Sequence, residues 1–153
     1  MPQKLLHNLV WIPIAIIGLT AVLLSPGWMF SSEPWMLDKT ANEALLDLSY
    51  DELFSQDVNR NLPDYLTLMY RFFGLWVFAV GSLILAFVLI TKMGTSLARN
   101  TILPILGVVL IAVYCIEFRF IPSSHFVYLS HFHMLCFLIS AVASVKLNRS
   151  DLL

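Results

Sequence analysis

Four long, mostly apolar stretches constrain this chain more than any other feature of its sequence. A helix needs about 20 consecutive apolar residues to cross the hydrocarbon core of a bilayer. The stretches cover residues 5–24, 66–91, 101–118 and 126–145. Hydrophobic residues make up 59% of the 153 residues and charged residues only 12%, whereas soluble domains are about 45–50% apolar and about 25% charged. The sequence therefore predicts an all-α membrane protein, an antiparallel bundle of four transmembrane helices forming a single domain over residues 1–153.

Proline, glycine and hydroxyl residues predict where these helices begin and end. Ser25-Pro26-Gly27 predicts the end of the first span, and Pro63 suits the first turn of the second, where a missing N–H costs no helical hydrogen bond. Asn100 or Thr101 is the expected cap of the third span, with Pro104 in its first turn. A cleaved signal peptide is the alternative for the first stretch, but no small-x-small cleavage motif precedes Pro26.

Basic residues predict the orientation of the four spans. If both termini and residues 92–100 share one side, five bases and one acid give that side a charge of +4. The opposite side then carries four bases and nine acids, a charge of −5. Because basic residues concentrate in short cytoplasmic segments, both termini are expected in the cytoplasm, with the bacterial inner membrane as the expected location.

The longest segment between spans, residues 25–62, predicts a short helical extracytoplasmic cap. Thr40 with Glu43, and Ser49 with Glu52, each match a capping box, in which a hydroxyl and a carboxylate satisfy free amides at a helix start. Two short amphipathic helices are therefore expected. They serve either as a connector held at the membrane surface or as a lid or docking surface, and the connector is the favoured interpretation.

A few ionisable residues lie in or at the ends of the apolar stretches, toward the predicted outer side. Such residues are costly in a membrane and often mark functional sites. We predict that Glu117 forms an ion pair with Arg71 or Arg119, and that His133 faces the interior of the bundle near them. The alternative is that the arginines extend into the headgroup region and serve structure only. The candidate polar site is Arg71, Glu117, Arg119, His131 and His133.

Several classes of function find no support in the sequence. A net charge of −1 argues against nucleic-acid binding. No motif of a hydrolase, metalloprotease or phosphate-binding loop occurs, so neither a catalytic residue nor a cofactor or metal site is predicted. Cys115 and Cys136 lie at different depths of their helices and are expected to be inert thiols.

Two functions remain open. The favoured one is a non-enzymatic accessory or scaffold subunit that packs against partner helices. The alternative is a site for a lipid, a quinone or protons in the outer half of the bundle. The expected partners are the lipid bilayer and other membrane subunits or a second copy of the chain. Gly74 and Gly81, which let helices approach closely, fit packing within the chain as well as between chains.

Overall fold

The computed structural model describes residues 2–150, without the side chain of Ser150, and this part of the chain is 86% helical with no strand. Four helices are long and apolar enough to cross a membrane, which confirms the predicted number of such helices. They are α1 (Gln3–Phe30), α4 (Leu62–Thr91), α5 (Ser96–Phe120) and α6 (Phe126–Ser150). Between α1 and α4 lie a 3₁₀ turn (Pro34–Asp38), α2 (Lys39–Leu46), α3 (Tyr50–Phe54) and a second 3₁₀ turn (Asp57–Asn59).

The predicted end of the first span is wrong, because α1 continues through Pro26 to Phe30. A proline inside a helix leaves the carbonyl four residues earlier without its N–H partner. Here that carbonyl belongs to Val22, and the Ser25 hydroxyl donates to it at 2.9 Å. A neighbouring side chain thus replaces the missing hydrogen bond and lets the helix run past the proline.

The predicted start of the third span is also wrong, whereas Pro63 does lie in the first turn of α4. Helix α5 begins at Ser96, and its cap is Thr95, whose hydroxyl accepts from the Ala98 amide at 3.1 Å. Pro104 is therefore inside the helix. The connection from α4 shrinks to residues 92–95, and Arg99 becomes part of α5.

Helix α1 lies between two others. It packs on α4 and on α6, and α5 packs on α6. Along α6 the partners of α1 run in reverse order: the Trp28 and Phe126 rings lie 5.1 Å apart, Thr20 contacts His133, and Val10 contacts Ser140. These contacts make α1 and α6 antiparallel.

A close crossing joins α1 and α4. A Cβ atom added at Gly81 would lie 2.7 Å from the Ala21 Cβ and 3.0 Å from the Gly18 carbonyl oxygen. A Cβ added at Gly18 would likewise lie 3.0 Å from the Leu85 amide nitrogen. The two backbones meet here because neither glycine carries a side chain.

The four long helices have two distinct ends. The turn end comprises residues 92–95 with the start of α1 and the end of α6, and the cap end comprises residues 31–61, here called the cap, with the adjoining helix ends. The largest cluster of buried apolar side chains extends from the turn end to the middle of the helices and includes Val10, Ile14, Val88, Met93 and Leu106. Many other apolar side chains on the long helices are exposed.

Candidate functional site

The cap has a small aromatic core of its own. Trp35 and Tyr50 are each only 4% exposed. The Trp35 ring lies 5.6 Å from that of Phe54 and 6.3 Å from that of Tyr50. Burial raises the pKa of the Tyr50 phenol well above its usual range. The cap is therefore folded upon itself.

One of the two predicted capping boxes forms a helix cap. The Ser49 hydroxyl accepts from the Glu52 amide at 3.2 Å and caps α3, as predicted. The prediction for Thr40 is wrong, because α2 begins one residue earlier, at Lys39. Glu43 instead accepts from the Tyr50 amide at 2.9 Å and so links α2 to α3.

Polar contacts tie the cap to two of the long helices. The Asn42 amide donates to the Trp35 carbonyl at 3.2 Å and to the Tyr70 hydroxyl of α4 at 3.1 Å. The Asp38 carboxylate lies 3.4 Å from Nδ1 of His125, just before α6. The cap is thus anchored above the helices at two separate points.

Two histidines of α6 make polar contacts with different helices. Nε2 of His133 lies 2.7 Å from the Thr20 hydroxyl of α1, and that hydroxyl donates to the Ile17 carbonyl at 2.9 Å. Because the hydroxyl has only one hydrogen, Nε2 of His133 is the donor of the contact. His133 therefore points toward another helix, α1, as predicted. It is not the histidine beside Glu117, however, because that neighbour is His131.

His131 faces α5. Its Nδ1 lies 2.7 Å from the Val127 carbonyl, which can only accept, so Nδ1 carries the proton. In the neutral ring Nε2 is then an acceptor, and the Tyr114 hydroxyl donates to it at 3.3 Å. The contact fixes the ring of His131 against the cap end of α5.

Glu117 is the least satisfied polar group of this region. Its Oε2 atom is buried and has no hydrogen-bond partner among residues 2–150. Ser130, His131 and Asp38 are the neighbours that act on the carboxyl electrostatically or by polar contact. The predicted ion pair is wrong for the described part of the chain, because Arg71 and Arg119 are exposed and neither contacts Glu117.

The structure thus brings Glu117 and His131 together, with Tyr114 and Ser130 beside them, and places the two arginines on the surface. We call Tyr114, Glu117, Ser130 and His131 the polar cluster. No family model, curated protein or solved structure matches the chain. Function therefore has to be argued from the sites of this molecule alone.

The polar cluster offers hydrogen-bond acceptors and donors, and no more reactive constellation is present in the described residues. No three His, Cys, Asp or Glu side chains of residues 2–150 could together hold a metal ion. Cys136 is buried and Cys115 exposed, and both are free thiols. The chemistry the cluster supports is binding of a donor group or cation at Oε2 of Glu117.

Arg99 is completely buried, although it was not among the site residues predicted from the sequence. Its guanidinium donates to the Asn148 side chain of α6 at 2.8 Å through Nε. It also donates to the carbonyls of Met93 and Gly94 at 3.2 and 3.1 Å. A signal was present: Arg99 lies four, seven and eleven residues before Leu103, Leu106 and Leu110, on one face of a helix. The pattern was not recognised because the third helix was predicted to begin at residue 101, after Arg99.

Proposed function

We propose that the protein is an integral membrane protein of four spanning helices with both termini in the cytoplasm of a bacterial cell, and that it serves as a non-enzymatic accessory subunit. The four apolar helices support insertion. The distribution of charge supports the orientation, since eight acids lie in residues 33–64 and the short turn end is basic. The extracytoplasmic side then holds the cap.

The observation that carries the accessory role is an apolar groove of about 440 Å³ between α4 and α5. Helix α4 packs on α1 and α5 on α6, so these two helices leave space between them. The groove is lined by Val80, Leu83, Ile84, Ala86, Phe87 and Ile102. Association of helices in a membrane depends on packing, and a groove that the chain does not fill is suited to side chains of a partner helix.

Substitution at the groove tests this role. Ala86 is exposed and lines the groove, so Ala86→Trp fills the groove from within the chain. Ala112→Trp adds the same bulk at an exposed position of α5 outside the groove and is the matched control. We expect one identified membrane protein to co-purify with the wild type and with Ala112→Trp in mild detergent, but not with Ala86→Trp. Co-purification that is equal in all three, or absent from the wild type, contradicts the proposal.

A second function, a site for a lipid, a quinone or protons, is favoured by one observation, the unpartnered Oε2 atom of Glu117. A buried acceptor without a partner is costly, and a bound donor group relieves that cost. Mass spectrometry of protein purified natively in mild detergent tests this site. A stoichiometric lipid or quinone present in the wild type and lost in Glu117→Gln supports it, and equal content in both contradicts it.

A further inference from the structure

The turn end carries a pocket of about 330 Å³ that is separate from the polar cluster and from the groove. It forms where the first two turns of α1 meet the turn between α4 and α5 and the end of α6. Its lining residues are Gln3, Lys4, His7, Gly94 and Leu147. The volume is within the range of roughly 300–1,000 Å³ that is usual for small-molecule sites.

The lining side chains of α1 can all donate hydrogen bonds. Lys4 and His7 are three residues apart and Gln3 and His7 four apart, so the three lie on one face of the helix. An ammonium has three N–H donors and no acceptor, while imidazole and amide groups each donate at least one hydrogen bond. A cation and two further donors at one pocket are complementary to an anion that has several acceptor oxygens.

The charge around the pocket favours the same ligand. Lys92, Lys146 and Arg149 lie at the same end of the molecule. Nine of the ten acids lie in residues 33–64 or at position 117, and the tenth, Asp151, follows the described residues. The Lys92 ammonium lies over the Trp11 ring at 4.3 Å, so it is held beside α1. Residues 2–150 thus give this end a positive potential with no opposing carboxylate.

We propose that this pocket binds a phosphate group, supplied by the headgroup of an anionic lipid in the cytoplasmic leaflet. Lys4 provides the charge, and His7 and Gln3 donate hydrogen bonds to the phosphate oxygens. Basic pockets between membrane helices on the cytoplasmic side recognise anionic headgroups in this way. The lipid source rests on the membrane insertion proposed above, because insertion brings the helix ends to headgroup depth.

Lipid titration of the full chain in detergent, followed by native mass spectrometry, tests the pocket. The probes are phosphatidylglycerol and phosphatidylcholine. We expect the wild type to retain phosphatidylglycerol preferentially and Lys4→Gln to bind it about fivefold more weakly, since a basic residue at this depth contributes about 1 kcal/mol. Lys146→Gln removes the same charge at the same end but outside the pocket. Because Lys146 contributes only to the general positive potential, we expect this variant to weaken binding much less than Lys4→Gln does.

Inorganic phosphate distinguishes the two sources of the ligand. Lys4-dependent binding that is tighter for phosphatidylglycerol than for inorganic phosphate assigns the pocket to lipid, and tighter binding of inorganic phosphate assigns it to free phosphate. Equal loss in Lys4→Gln and Lys146→Gln, or no preference over phosphatidylcholine, overturns the proposal. Carbonate extraction of membranes reports insertion separately, so a soluble chain would be recognised as a failure of insertion and not of the pocket.

Discussion

At the turn end one buried arginine joins three segments of the chain, whereas at the cap end the polar contacts are divided among several pairs. Arg99 binds the carbonyls of Met93 and Gly94 and the side chain of Asn148. At the cap end, by contrast, Asn42 contacts Tyr70 and Asp38 contacts His125, each with one or two contacts. The comparison shows that a buried arginine can have a purely structural role when its N–H groups donate hydrogen bonds within the protein.

The same comparison shows that the cap end contains a buried acceptor atom without a partner among the described residues, Oε2 of Glu117. Buried polar groups are normally hydrogen-bonded, and an exception calls for an explanation. The two ends therefore differ in how completely their buried polar groups are satisfied. This difference distinguishes Arg99, which links segments of the protein, from Glu117, which is a candidate binding residue.

The largest effect is expected from Arg99→Ala. The substitution leaves two backbone carbonyls and the Asn148 side chain with unsatisfied hydrogen bonds, and each such group costs about 1–3 kcal/mol. We expect a loss of at least about 3 kcal/mol in the free energy of unfolding, measured by denaturation in detergent. Arg119→Ala, an exposed arginine at the other end of α5, is the control and should change stability by less than about 0.5 kcal/mol. Equal losses would remove the distinction between the two ends.

Alkaline pH is expected to loosen the cap and leave the turn end intact. Burial raises the pKa of Tyr50 in the folded cap, so the folded state holds this proton more tightly than the unfolded state does. The resulting stability is complete below the usual tyrosine pKa of about 10 and decreases as the pH rises above it. The protection of amides across residues 39–54, which is the base-catalysed intrinsic exchange rate at each pH divided by the observed rate, should fall above pH about 10 in the wild type but much less in Tyr50→Phe. The same loss of protection in both would show that another group controls the cap.

The sequence predicted the elements of the fold better than their ends. The number of long helices follows from the lengths of the apolar stretches, which can be read directly from the sequence. The end of α1 could not be predicted, because Ser25 compensates for Pro26 through one specific hydrogen bond. The pairing of Glu117 could not be predicted either, because depth along a helix does not fix which face a neighbouring helix presents. The inward direction of His133 was predicted correctly, because its face of α6 also carries Ser140, which contacts α1.

A smaller effect should separate the two hydroxyls of the cap. Ser49 accepts from the Glu52 amide, so Ser49→Ala should cost about 1 kcal/mol in the local stability of the cap. Thr40 lies within α2 and caps nothing, so Thr40→Ala should leave that stability nearly unchanged. Hydrogen exchange across residues 50–54 measures the difference. Identical exchange in the two variants would contradict the assignment of Ser49 as the residue that caps the start of α3.

A still smaller effect is expected between the two ends, where Thr20 accepts from His133. Thr20→Val keeps the shape of the side chain and removes this contact, and such hydrogen bonds between membrane helices average about 0.6 kcal/mol. Thr101→Val is the matched control, because among residues 2–150 the Thr101 hydroxyl bonds only the carbonyl of Leu97 in its own helix. A double-mutant cycle with His133→Phe should recover the coupling. An absence of coupling would show that the two side chains act independently.

The smallest change in stability is expected from Glu117→Gln, although this substitution decides most about the cap end. Oε2 has no partner among residues 2–150 and neither Arg71 nor Arg119 pairs with the carboxyl, so neutralising it breaks no ion pair. In the membrane insertion proposed above, removing the charge also lowers the cost of burying this group. We therefore expect Glu117→Gln, Arg71→Gln and Arg119→Gln each to change the free energy of unfolding by less than about 0.5 kcal/mol. If Glu117→Gln and one arginine variant each lost more than about 1 kcal/mol, and their double variant lost no more, the two residues would form an ion pair. The cap end would then resemble the turn end, and Glu117 would be structural.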